Sequence, residues 1–254
     1  MVTKRLEGQV AIVTGASLGL GRSIAMAFAE EGANIVAVSR TQGELDAVVK
    51  EMSVFNVGTL SVRADVSRKE DVDRVVEKAV AEFKGIDILV NNAAIGGPTN
   101  FITEIKEGEW DDTLRINLKG VFLCSQAVLP YMIKEKRGNI INVSSHSGKK
   151  TRDGAFLSPT RSLAYNVSKA GVEMFTVGLA VMVNKFNINV NAIRPGRTDT
   201  RQHLNSPPER RAQLRNPDDI KKLAVFLATQ GPLGITGESF DVAVWEKIYL
   251  PRGA

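Results

Sequence analysis

Tyr165 and Lys169 stand four residues apart in SLAYNVSKAG, and on a helix that spacing puts both side chains on one face. A phenol with a pKa near 10 works as an acid or base near neutrality only when its anion is stabilised, and a neighbouring ammonium does this. Such a pair alone carries little weight, because it arises by chance on any exposed helix. A second signature is TGASLGLGR, which places Gly15, Gly19 and Gly21 around Ser17, Leu18 and Leu20 in the spacing G-x-x-x-G-x-G. Glycines let a backbone turn tightly and approach a pyrophosphate, whose charge the free N–H groups of a helix N-terminus favour. A tight strand-to-helix turn can also need glycine for purely structural reasons. A third signature is Ser39-Arg40-Thr41, at the end of the second apolar run. An acidic residue there would accept hydrogen bonds from ribose hydroxyls and repel a 2′-phosphate. Ser39 and Arg40 instead offer a planar cation suited to phosphate, which predicts NADP(H) as cofactor. The other reading is a solvated arginine at a strand end.

Other candidates weigh less. Two histidines and one cysteine make no zinc-ligand set, so no metal is expected. Cys124, in the apolar string VFLC, reads as a buried structural thiol. His146 follows Ser145, but neither a G-x-S-x-G elbow nor a matching acid is apparent, which disfavours a serine hydrolase. His203 suits either a surface role or a substrate contact. Trp110 and Trp245 read as packing residues.

The elements that must position these groups alternate along the chain. Apolar, β-branched runs occupy Val10 to Thr14, Asn34 to Ser39, Thr59 to Ala64, Ile86 to Asn91, Asn139 to Ser144 and Ile188 to Ile193. Between them lie amphipathic stretches such as Arg22 to Glu31, Lys69 to Phe83, Thr113 to Glu135 and Leu163 to Lys185. Nearly all-apolar strands suit a sheet covered on both faces. The alternation predicts an α/β fold, a Rossmann-type doubly wound parallel sheet with ligands at the carboxyl ends of its strands. No linker or repeat divides residues 1–254, so a single domain is expected.

With 43% hydrophobic and 24% charged residues the composition is that of a globular protein. The N-terminus lacks a signal-peptide pattern and no apolar run reaches membrane-spanning length, which predicts a cytoplasmic protein without membrane partners. The net charge of +5 is local. Between His146 and Ser162 four cations face Asp153 alone, and between Arg194 and Arg215 six arginines face Asp199 and Glu209. No recognition motif accompanies them, so no nucleic-acid partner is expected.

Taken together, TGASLGLG, Asp65 in RADVS, Asn91-Asn92-Ala93-Ala94, Asn117 in INLKG, Ser144-Ser145, Tyr165/Lys169 and Pro195-Gly196 fall in an order that resembles the short-chain dehydrogenase/reductase family, compact single-domain branch. The resemblance spans roughly residues 6 to 242. It implies an oxidoreductase that interconverts a small-molecule carbonyl and an alcohol, with the hydride carried by nicotinamide. Ser145 would hydrogen-bond the substrate oxygen and Tyr165 would pass it a proton or remove one. Lys169 would bind the nicotinamide ribose and lower the tyrosine pKa, and Asn117 would hold a water linking Lys169 to solvent. Asp65 and Val66 would meet the adenine, Asn91 and Ala93 the adenosine side, and Pro195, Gly196, Thr198 and Thr200 the nicotinamide amide. Plainer roles stand beside these: Asp65 as a helix N-cap, Asn91 as a strand-end hydrogen-bonder, Ser145 as a turn residue. The rival function is a catalytically silent NADP(H)-binding or oligomeric interaction protein. Family members pair the helices matching Thr113 to Glu135 and Leu163 to Lys185, which implies a homotetramer or a homodimer.

Four features depart from the family pattern. Ser145 and Tyr165 lie 20 apart instead of about a dozen, so 146–162 contains a basic insertion beside the substrate side. The lid, about 197–216, is short and arginine-rich. FDVAVWEK replaces the usual Asp-Gly-Gly turn, which leaves the final strand and any tail-built interface open. Ala94 stands where glycine is usual. The two basic segments suggest a substrate bearing an anionic group; the other reading is a solvated rim whose lid arginines pair with nearby Glu209 and Asp199.

Overall fold

The computed structural model describes residues 4–148, 162–200 and 208–249. Seven strands form one parallel sheet: β1 (Val10–Thr14), β2 (Asn34–Ser39), β3 (Thr59–Arg63), β4 (Ile88–Asn91), β5 (Gly138–Val143), β6 (Ile188–Arg194) and β7 (Ser239–Asp241). Their order is β3-β2-β1-β4-β5-β6-β7, so the direction of winding reverses after β3, between β1 and β4. Helices α1 (Gly19–Glu30), α2 (Gln42–Met52), α3 (Lys69–Phe83), α4 (Glu107–Leu114), α5 (Gly120–Glu135), α6 (Leu163–Val183), α7 (Pro208–Arg211), α8 (Lys221–Ala228) and α9 (Val242–Tyr249) complete the described fold.

The strand period of two divides the core between the faces of the sheet. Ala11 and Val13 of β1 join Ile24, Phe28, Leu45 and Leu223 on one face, whereas Val10 and Ile12 join Val75, Val128 and Met132 on the other. Each side chain as fully buried as Phe28 or Ile12 contributes roughly 1.5–3 kcal/mol relative to exposure. This two-sided burial is why the strands read as unbroken apolar runs.

Most expected elements appear within a residue or two. The differences have local causes. The first helix begins at Gly19, inside the glycine turn and three residues before the expected Arg22. The stretch expected from Thr113 starts earlier, at Glu107, and a π-helical turn at Arg115–Lys119 joins α4 to α5. Helix α2 carries few apolar residues, burying only Leu45, Val48 and Met52, so its pattern stands out little in sequence. The altered tail does form a final strand, β7, which pairs with β6 and turns directly into α9. Trp245 packs as expected, its ring 5.6 Å from those of Phe226 and Tyr249.

The expectation that nothing reaches membrane-spanning length needs correction. The continuous helix Glu107–Glu135 and the segment Leu163–Phe186 are long and apolar enough by composition alone. Both lie against the sheet and bury one side there, Val121, Val128 and Met132 from the first and Val172, Leu179 and Val183 from the second. The core accounts for part of that hydropathy; on α6 the rest, including Met174, Val181 and Met182, is exposed.

Candidate active site

The carboxyl ends of the strands open into a cleft of about 650 Å³. Its first wall is the glycine turn, where Gly15, Ser17, Leu18, Gly19 and Leu20 all line the space. Gly15 and Gly19 have φ of 65° and 57°, a region that favours glycine. Gly21 does not line the cleft. Its role is close packing, since a Cβ there would lie 2.2 Å from the Gly15 carbonyl oxygen. Helix α1 begins with no side-chain cap at Leu18 and no acidic residue in its first turn. Its leading N–H groups therefore suit an anionic pyrophosphate.

Thr14 and Asn92, which sequence reasoning gave no role of their own, lock this turn to the neighbouring strand. Thr14 Oγ1 donates to the Val90 carbonyl at 3.0 Å and accepts from the Asn92 and Ala93 amides at 2.9 and 3.2 Å. Asn92 Nδ2 donates back to the Thr14 and Gly15 carbonyls. Ala93 and Ala94 then reach the cleft wall. Asn91 does not: its side chain is buried and donates to Ser125 and Asn142, the plainer reading of that residue.

Ser39, Arg40, Asp65 and Val66 line the adjoining end. Arg40 is exposed. Asp65 is not the N-cap of α3, a position held by Arg68; its carboxylate accepts from the Ser67 amide and hydroxyl at 3.0 and 2.5 Å. Burial pushes the Asp65 carboxyl up, but the Ser67 hydrogen bonds and the nearby Arg115 and Arg40 cations outweigh it and hold the group below the usual range.

At the other end Ser145, Tyr165 and Lys169 share one wall. Ser162, 4% exposed, caps α6 by accepting the Tyr165 amide at 3.2 Å, and so fixes the helix start that carries the phenol. Lys169, one turn on, is 3% exposed, donates to the Val143 carbonyl at 2.7 Å and lies 5.7 Å from the Tyr165 ring centre. Burial pulls its ammonium down to about 8, against the opposing pull of Glu173. Ser145 Oγ accepts from the Ser147 amide at 3.2 Å. Asn117 sits in the π-helical turn and does not reach the cleft; it accepts from the Ile95 amide at 2.8 Å and donates to the Ile95 carbonyl and Ser168 Oγ. Through these bonds it holds the Ile95 segment, which itself lines the cleft. Pro195, Gly196, Thr198 and Thr200 close the wall after β6.

A family model described as short chain dehydrogenase matches residues 9–210. The protein belongs to that family. This short-chain dehydrogenase is 35% identical to the 3-oxoacyl-[acyl-carrier-protein] reductase FabG of Thermotoga maritima over 94% of this chain and 97% of that one. It is 34% identical to the (2S)-[(R)-hydroxy(phenyl)methyl]succinyl-CoA dehydrogenase subunit BbsD of Thauera aromatica, over 92% and 94% of the two chains. Among solved structures, a short-chain type dehydrogenase/reductase from Mycobacterium marinum superposes with a TM-score of 0.83 at 28% identity, covering 93% of this chain and 94% of that one. The enzyme is therefore an oxidoreductase of a family that binds a nicotinamide cofactor. The uncapped helix start and the glycine cradle fit such a group.

Side-chain pairing alters two earlier readings. The basic stretch after β6 is largely neutralised among the described residues: Arg211 bonds Asp199, Arg215 bonds Glu246 and Asp219, and Arg194 faces Glu173. Arg197 lines the cleft, exposed, with no salt bridge among the described residues. Residues 149–161 and 201–207, which carry most of the basic insertion, part of the lid and His203, lie outside the described residues. His146 does have an acidic partner, Asp241 at the end of β7, which no local pattern could announce. Cys124 is buried as expected, and desolvation pushes its thiol up to about 12.

The depressed Lys169 pKa has a signed consequence for stability. The folded protein loses this proton near pH 8, whereas the unfolded chain keeps it to about 10.4. Stability is thus lowest on this account below pH 8 and rises between those values. The stability of the wild type relative to Lys169→Met, followed by thermal melting without nucleotide, should increase from pH 8 to 10. A flat difference would contradict the buried ammonium.

Proposed function

We propose that this dehydrogenase interconverts a carbonyl and an alcohol with NADP(H), Tyr165 serving as acid and base. The supporting observation is the meeting of Ser145, Tyr165 and buried Lys169 on one wall of a cleft whose far end carries Arg40. When bound, the nicotinamide supplies or takes the hydride. Ser145 and Tyr165 donate hydrogen bonds to the substrate oxygen as negative charge grows there, and Tyr165 delivers the proton. Lys169 holds positive charge beside the phenol and eases its ionisation. Asn117 supports this end by ordering the Ile95 segment. Arg40 pairs with the 2′-phosphate, while Gly15 to Gly21 admit the pyrophosphate.

The silent-binder alternative is disfavoured, because every reacting side chain is present. A panel of carbonyls and alcohols followed by NADPH absorbance tests the proposal. Relatives named for 3-oxoacyl and succinyl-CoA substrates make acyl thioesters the first compounds to try. Absence of turnover across the panel would favour the silent binder.

An anionic group on the substrate is part of this proposal, with Arg197 as the cation it meets. Arg197→Ala is expected to reduce the kcat/KM preference for anionic over matched neutral carbonyls by roughly 2- to 5-fold, the scale of a solvent-exposed ion pair. The wild-type preference should shrink as salt rises. An unchanged preference in the variant, or no effect of salt, would reject this assignment.

We also propose a cytosolic homotetramer or homodimer. Helix α6 exposes Met174, Val177, Val181 and Met182, spaced to form one apolar stripe, and α5 exposes Phe122. Light scattering should give a mass of at least a dimer; a monomer at working concentration would reject both states.

A further inference from the structure

We infer that His146, anchored by Asp241, is a positioning residue for Ser145; this rests on the oxidoreductase function proposed above. His146 opens the tight turn His146–Gly148 directly after Ser145 and lines the cleft. Its Nε2 bonds Asp241 Oδ2, and both side chains are about four-fifths buried, at 21% and 23% exposure. The other oxygen of Asp241 accepts from the Ala243 and Val244 amides at 3.0 and 3.4 Å, so the anchor is itself fixed by the start of α9. Burial pushes the Asp241 carboxyl up, yet the His146 bond and these amides outweigh it and hold the group below the usual range.

The turn is held at both ends. The Gly148 amide donates to the Ser145 carbonyl at 3.0 Å, and a Cβ on Gly148 would stand 2.6 Å from the Lys169 backbone, leaving no slack against α6. Gly196 packs beside the imidazole, where a Cβ would lie 3.9 Å from Cε1. Ser145 Oγ takes its direction from the Ser147 amide of the same turn. Releasing His146 therefore removes the Asp241 anchor opposite α6, and Ser145 loses its aim at the oxygen shared with Tyr165.

The test compares kcat in two backgrounds. His146→Ala should lower kcat about tenfold, inside the hundredfold that a misplacement of about 1 Å can cost. His146→Gln keeps an N–H donor at similar reach and should recover most of that loss. In a Ser145→Ala background, His146→Ala should change kcat less than about twofold, because residues acting as a unit are not additive. Equal losses in both backgrounds would overturn the inference, as would wild-type kcat in His146→Ala. If His146→Ala does not fold, Asp241→Ser, whose hydroxyl still accepts at the start of α9 but is too short to reach the imidazole, supplies the same comparison. Tyr165→Phe measured alongside separates the two levels. Should it keep its turnover, the oxidoreductase function falls and this role with it; should it be inactive while the losses multiply, only the positioning role falls.

Discussion

Tyr165→Phe is expected to lower kcat by at least about 100-fold while NADPH affinity stays within about twofold. The phenol lines the cleft and can exchange a proton with a substrate oxygen, with Lys169 5.7 Å from its ring centre. Removing one hydroxyl leaves the ring, the α6 cap at Ser162 and the Lys169 bond to Val143 in place, so packing and cofactor contacts are preserved. What is lost is proton transfer at the transition state, typically worth about 10²–10⁴ in rate. Initial rates by NADPH absorbance, with cofactor affinity from fluorescence titration, check both halves. Turnover above a tenth of wild type would exclude Tyr165 as proton carrier. Weakened NADPH binding would instead mean that the hydroxyl serves the cofactor.

The second large effect concerns Arg40. Arg40→Ala should weaken NADPH by about tenfold and NADH by less than about twofold. A charge-assisted hydrogen bond contributes about 1.5–3 kcal/mol, and the exposure of Arg40 places it at the lower end of that range. The geometry argues for selectivity rather than general affinity. Ser39 leaves no carboxylate at the strand end itself, and Asp65, the nearby acid, is hydrogen-bonded by Ser67 and ion-paired with Arg115. Isothermal titration of both cofactors against wild type and variant decides the matter, and equal losses for NADPH and NADH would refute it. The NADPH loss should also diminish with added salt, whereas a packing defect would be insensitive to it.

What the sequence by itself determined follows from interactions that repeat at short range. Buried parallel strands demand continuous apolar runs, so Val10–Thr14 and Asn34–Ser39 were legible to the residue. A helix spaces Tyr165 and Lys169 onto one face wherever it is placed, and a glycine turn between strand and helix announces a phosphate site through backbone freedom alone. Tertiary structure decided the rest, because the partners are far apart in the chain. The π-helical turn at Arg115–Lys119 points Asn117 at Ile95, 22 residues away. Asn91 is claimed by Asn142 across the β4–β5 ladder, and Arg215 bonds Glu246, an acid 31 residues away that no local charge count would pair with it. His146 and Asp241, 95 residues apart, meet only because β7 adds to the sheet beside β6 and brings its carboxyl end to the cleft. Periodicity encodes which face of an element is buried; it carries no information about which distant side chain that burial will bring into reach.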